Sequence, residues 1–249
     1  MTMTKLPDCG ACARTWIFAA SIWASSSAML LAQTPAAPPP VSSRILMQEP
    51  LGDTSEPNLS LFILNLSAGQ TVPTHTHAGA VFAYVLQGDI ENQVEPEEPK
   101  LFHPGGLFHE RPMQVHRLFR NSSKTAPARI LILQNTGSLP PSIKPLLQAP
   151  MTNLTNQEVS VMRLPVRWSS VPGPAHQHPG LVFAYVLKGE VESQVDPDPP
   201  KTYRAGDFFY EPPRHAHRLF RNLSQTEPAE LVIFLVGEKG QPLTMPVDQ

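Results

Sequence analysis

The chain has 249 residues with 19 basic and 21 acidic side chains, and its net charge of −2 lacks the basic excess of a nucleic-acid or anionic-membrane binder. A content of 41% hydrophobic and 16% charged residues is that of a globular protein, while 29 prolines disfavour long helices and favour turns and extended segments. The length suits one large domain or two of about 100 residues, each able to close a core without disulfides.

Residues 1–32 have the order of an export signal: Lys5 and Arg14 precede an apolar run from Trp16 to Ala32, and Ala28 and Ala32 offer cleavage points. A periplasmic or secreted location is expected, with no membrane association beyond that signal; an uncleaved anchor is the alternative. Cys9 and Cys12 spell C-x-x-C, but no strand–helix unit surrounds them, so a redox pair is the weaker reading. Residues 33–43, with Pro35, Pro38, Pro39 and Pro40, read as a stiff proline-rich tether.

From there the pattern is all-β. Short apolar runs at Leu59–Leu66, Val81–Leu86, Asp89–Val94, Leu107–Glu110, Val115–Arg120 and Ala128–Leu133 are punctuated by Gly88, Pro96, Pro99, Gly105 and Pro112. Residues 75–128 then return at 176–229 with a constant offset of 101 and no gap, about 30 of the 54 pairs being identical. The chain is a tandem duplication, with domains expected at 44–138 and 151–249 and a proline-rich linker at 139–150. The run V-F-A-Y-V-L at Val81–Leu86 and Val182–Leu187 is apolar on both parities, which predicts a strand covered on both faces. Tyr84 and Tyr185 fall on the parity opposite to Val81 and Val182 and are assigned to the contact between the two halves.

Six of the nine histidines form two triads: His75, His77 and His116, then His176, His178 and His217. An H-x-H pair on a strand aims both imidazoles to one side, and a closed barrel can bring a later strand with the third ring alongside. His103, His109 and His215, by contrast, face Arg204, Tyr210 and Gln114 in the other copy. Only the triads persist through the divergence of the repeats.

These residues resemble the cupins. The first cupin motif, G-x5-H-x-H-x3,4-E-x6-G, is matched from His75 to Gly88 and from His176 to Gly189; the second, G-x5-P-x-G-x2-H-x3-N, is approximated by Gly105–Asn121 and Gly206–Asn222. The resemblance implies two tandem jelly-roll (double-stranded β-helix) barrels, a bicupin, with a divalent transition metal in each: iron, manganese, nickel, zinc or copper. Two departures matter. Val81 and Val182 stand where the motif has glutamate, and Met113 and Arg214 where it has glycine. Three neutral imidazoles would leave the ion its full 2+ charge and an open coordination position, as in the three-histidine cupin dioxygenases.

The expected function is therefore a metal-dependent enzyme acting on small oxygen-chelating molecules, dioxygenase-like. The alternatives are a metal-assisted isomerase or hydrolase, and a non-catalytic binding cupin. Glu110 and Glu211, six residues before the third histidine, are the candidate catalytic carboxylates, able to orient an imidazole, become a fourth ligand or move a proton. Arg117, Arg120, Arg218 and Arg221 could steer an anion but alternate as outward strand residues do. Asn121 and Asn222 open formal glycosylation triplets. A homodimer is possible, although two fused barrels already supply a paired contact. Metal held by neutral imidazole is expected to leave below about pH 6.

Overall fold

Twenty strands and no helix make up residues 43–52, 57–151, 155–169 and 172–247, which are those described by a computed structural model. The export signal and the tether through residue 42, Cys9 and Cys12 included, lie outside them. The first ten strands are β1 (Arg44–Pro50), β2 (Asn58–Leu66), β3 (Thr71–Val72), β4 (His75–Thr76), β5 (Val81–Gln87), β6 (Ile90–Val94), β7 (Lys100–Phe102), β8 (Leu107–Glu110), β9 (Val115–Asn121) and β10 (Ala128–Asn135). The second ten are β11 (Leu147–Pro150), β12 (Gln157–Val166), β13 (His176–Gln177), β14 (Leu181–Lys188), β15 (Glu190–Val195), β16 (Lys201–Arg204), β17 (Phe208–Glu211), β18 (His217–Asn222), β19 (Ala229–Glu238) and β20 (Met245–Pro246).

Each half pairs two sheets into a barrel. The first joins β11-β2-β10-β5-β8 to β3-β9-β6-β7, with β4 also on β9; the second joins β1-β12-β19-β14-β17 to β16-β15-β18-β13-β20. The two-sided apolar strand behaves as its composition requires. On β5, Val81, Ala83 and Val85 fill the first barrel with Phe108 and Phe119, while Phe82 and Tyr84 pack outward. There they meet Phe183 and Tyr185 of β14 in one shared apolar layer between the barrels. Phe82 and Phe183 are fully buried in it, and burial of that extent stabilises by about 1.5–3 kcal/mol per side chain.

The order of strands departs from the expected domain limits at two places. Residues 44–50, placed by sequence with the first half, form β1 on the edge of the second barrel, with Gln48 opposite Ser160 and Glu49 opposite Val159. Residues 147–150, placed in the linker, form β11 on the edge of the first barrel, with Gln148 opposite Ser60 and Ala149 opposite Leu59. The exchange is reciprocal and in the same register. Each segment covers a strand edge that would otherwise present unpaired backbone groups to solvent. The main-chain bonds continue past it, from the Leu51 amide to the Gln157 carbonyl at 2.9 Å and from Met151 to Pro57 at 2.7 Å.

Asn121 and Asn222 are buried structural residues, which removes the glycosylation reading. The Asn121 amide donates to the carbonyls of Ala126 at 2.8 Å and Ser67 at 3.0 Å. The Asn222 amide donates to those of Glu227 at 2.7 Å and Val166 at 3.0 Å, so both tie a loop to the end of a strand.

Candidate metal centre

In each barrel the short histidine strand lies beside the strand carrying the third histidine. His75 of β4 is directly opposite His116 of β9, and His176 of β13 opposite His217 of β18. Ring centroids stand 4.6 Å apart for His75 and His77 and 4.9 Å for His75 and His116; the second site gives 5.0 Å for both corresponding pairs. Each barrel thus brings its own triad together on the inner side, as alternation along the strands predicts.

Outer partners hold the rings. The Nδ1–H groups of His75 and His176 donate to the carbonyls of Pro73 (2.7 Å) and Pro174 (3.1 Å), and that of His178 to the carbonyl of Leu243 (2.6 Å). His116 Nε2–H donates to the Asn92 side-chain oxygen, and His217 Nε2 bonds the Ser193 hydroxyl at 2.8 Å. An imidazole that donates through one nitrogen presents a lone pair on the other, the state a metal ion needs. His77 Nδ1 lies 3.1 Å from the Gln134 side-chain amide nitrogen, and its metal-ready tautomer requires that amide turned over so that its oxygen accepts. None of these outer partners stands out in the sequence. Asn92 becomes Ser193 in the second copy, so only a shared position and a polar side chain could have marked it.

The two glutamates enter the same clusters. Glu110 is directly opposite Val81 on the paired strands β8 and β5, and Glu211 opposite Val182 on β17 and β14. A carboxylate therefore arrives across the ladder from the position where the family motif has its own, and Glu110 and Glu211 stand beside the histidines as their candidate role requires. Glu110 and Glu211 are 2% and 3% exposed, which makes them internal groups and not solvent-facing ones. Glu110 Oε1 is 3.1 Å from His116 Nδ1 and Oε2 is 3.6 Å from His77 Nε2. Glu211 Oε2 is 3.1 Å from His217 Nδ1 and 3.4 Å from His178 Nε2.

These residues fit a metal ion. Glu110 Oε2, Glu211 Oε2, His116 Nδ1 and His217 Nδ1 are all buried and make no hydrogen bond, despite their short separations. Buried polar atoms left so are costly unless another charge satisfies them. Ligand atoms bonded to one ion at about 2.0–2.1 Å stand about 2.8–3.4 Å from each other at octahedral or tetrahedral angles. The His75 and His77 Nε2 atoms are 3.0 Å apart, and the carboxylate contacts fall close to the same range. In the second site the donor atoms of His176, His178, Glu211 and His217 all lie within 4.8 Å of one another; in the first, those of His75, His77 and His116 do. Burial lowers the pKa of His77 and His176, favouring the neutral ring that coordinates. Burial works against the charge of Glu211, but the neighbouring His217, with His178 and His176, outweighs it and keeps the pKa below the usual value.

The sites open into apolar cavities. The first, of 180 Å³, is walled by Phe62, Val81, Phe108, Phe119 and Ile132 and covered by Leu139 and Ile143. The second, of 400 Å³, has Met162, Val182, Phe209, Phe220 and Ile233 at the corresponding places and Leu243 over it. The four arginines flanking the third histidines turn away from these cavities and pair with Glu95, Glu91, Asp196 and Glu192, so they do not steer a ligand inward.

The motif-two glycine position also has a physical reading. Met113 and Arg214 take φ of 63° and 62°, the left-handed region, and their amides donate to the carbonyls of His77 (2.8 Å) and His178 (2.7 Å). A residue with a Cβ is strained there by about 1–2 kcal/mol. Met113→Gly and Arg214→Gly are each expected to raise stability by about 0.5–1 kcal/mol, the relief being partly offset by a looser unfolded chain. Urea unfolding of the two variants beside the parent measures this.

The cupin domain family matches residues 62–133 and 160–236, one stretch in each barrel. No curated protein matches the chain by sequence. Among solved structures, one of Bacillus subtilis oxalate decarboxylase superposes with a TM-score of 0.55 at 14% identity, over 77% of this chain and 71% of that one. Another of oxalate decarboxylase, described for a structural element that modulates proton-coupled electron transfer, gives 0.56 at 14% identity, over 82% and 80%. A further structure of the Bacillus subtilis enzyme, described for its Mn(II) centres, gives 0.55 at 15% identity, over 77% and 72%. At these identities the likeness carries the fold alone. With both repeats matched and both barrels formed, the chain belongs to the cupin family, as a bicupin.

Proposed function

We propose that this bicupin is a metal-dependent enzyme acting on small oxygen-chelating molecules in the manner of a dioxygenase. One observation carries the reading: three histidines converge in an apolar cavity of each barrel, with buried Glu211 in the second cluster and buried Glu110 beside His77 and His116 in the first, each glutamate keeping an unsatisfied oxygen. A bound divalent ion of the iron, manganese, nickel, zinc or copper group would polarise the substrate oxygens, and a redox-active one would add reactivity toward oxygen.

The chain's own groups do the rest. Val81, Phe108 and Phe119, with their repeats Val182, Phe209 and Phe220, exclude water from the reacting end. Glu110 and Glu211 offer a carboxylate oxygen beside the histidines, placed to hold a proton taken from an enolisable ligand. A periplasmic or secreted site of action belongs to the same proposal and rests on the charged and apolar order of residues 1–32.

The test is anomalous diffraction at several metal edges on protein purified without a tag, followed by oxygen uptake with β-diketones, flavonols and catechols. Redox-active metal at both triads with oxygen consumption supports the enzyme. Zinc or nickel without turnover favours the non-catalytic binding reading.

A further inference from the structure

The two cavities are not equivalent, although the residues at their floors nearly are. Ligand pockets for organic molecules usually enclose about 300–1,000 Å³. The second cavity, at 400 Å³, is within that range, and the first, at 180 Å³, falls short of it. Side-chain differences on matching strands account for part of the loss. Phe62, opposite Ile132, takes the place that Met162 has opposite Ile233. Gln134, which reaches His77, stands where the second copy has Leu235.

Charge then limits what the larger cavity accepts. A divalent ion beside Glu211 retains a single positive charge, since the three imidazoles are neutral. A monoanionic ligand brings the buried total to zero; a dianion leaves one net negative charge in an apolar chamber. Among the described residues no lysine or arginine lines this cavity to offset it, and Arg218 and Arg221 are already paired outside. A buried charge without a partner is destabilised by several kcal/mol in ordinary proteins.

We infer that the second barrel alone takes the organic ligand, and that this ligand is a monoanionic oxygen chelator with an apolar body, such as a 1,3-diketone enolate, in preference to a small dicarboxylate. The first barrel holds its metal without admitting a ligand of that size. This inference rests on the metal reading of the preceding section.

Cobalt(II)-loaded protein tests it without requiring turnover. The probes are 1-phenylbutane-1,3-dione and oxalate, followed by calorimetry and by the visible bands of the cobalt ion. The diketone is expected to bind at a single site per chain and more tightly than oxalate by about tenfold or more. Met162→Phe, which carries into the second cavity the side chain already tolerated in the first, is expected to weaken diketone binding by about tenfold, whereas Phe62→Met, which alters only the first cavity, leaves the affinity of the second-barrel site unchanged. Oxalate binding as tight as the diketone, equal occupancy of both barrels, or sensitivity to Phe62→Met and not to Met162→Phe would each overturn the inference. The comparison of the two probes on the unaltered protein stands even where a variant fails to fold. A chain that takes up no cobalt overturns the underlying metal reading as well, and a chain that takes it up at both triads without preferring the diketone overturns this inference alone.

Discussion

Replacing His217 by alanine is expected to release the metal of the second barrel and leave that of the first in place. The ring is 4% exposed, its Nε2 is fixed by Ser193, and its free Nδ1 points at the cluster beside Glu211. Losing an outer partner of a metal ligand weakens binding by about 10–100-fold, so losing the ligand itself should exceed about 100-fold. Metal analysis after dialysis against a weak chelator reads the result directly, with His116→Ala as the mirror experiment. Glu211→Gln sharpens it, because removing the charge keeps the shape. Metal affinity should fall, and the metal-free protein should also lose stability at neutral pH, since the histidines that hold the Glu211 carboxyl below its usual range lose their charged partner. Full retention of both ions in His217→Ala would refute histidine ligation.

The second large effect is steric. Gly79 and Gly180 follow the histidine pairs by two residues, and a Cβ at either would lie 2.1 Å from a backbone carbonyl oxygen, that of Asn135 or of Val236. Those oxygens belong to β10 and β19, the central strands of their sheets, so the clash cannot be relieved by rotating a side chain. Gly180→Ala is expected to cost about 4 kcal/mol or more, a large part of the roughly 5–15 kcal/mol that holds typical domains folded. The backbone shift that relieves the clash also moves His178, so any folded fraction should bind metal more weakly. Chemical denaturation and metal titration of the same sample test both effects, and parent-like values in both would show that the strands separate freely at this point.

Much of the fold is written locally. Leu107–Glu110 forms β8 with the limits its apolar pattern predicts, and the parity of V-F-A-Y-V-L correctly sends Val81 into the barrel and Tyr84 to the layer between barrels. The histidine triads were legible because H-x-H spacing survives duplication. What escaped depends on pairing across strands. Nothing in the period of residues 107–110 says that Glu110 faces Val81, so Glu110 was legible as a candidate carboxylate while its place across the ladder from the vacated motif position was not. The exchange of β1 and β11 was hidden for a related reason. Gln48-Glu49-Pro50-Leu51 repeats as Gln148-Ala149-Pro150-Met151 at an offset of 100, one residue out of step with the 101 of the histidine segments. Backbone conformation at Met113 was also unreadable, because a side chain there masks the left-handed turn that a glycine would have announced.

The crossing of β1 and β11 makes neither barrel a detachable module. A cut in residues 139–146 would divide the polypeptide yet leave the halves interlocked, since each fragment would still donate a strand to the other's sheet. Conversely, a half produced by itself would keep a bare edge on β2 or β12 and an arm with nothing to grip. Two such halves would satisfy each other only by a mutual embrace, and the single chain converts that encounter between molecules into a fixed intramolecular partnership.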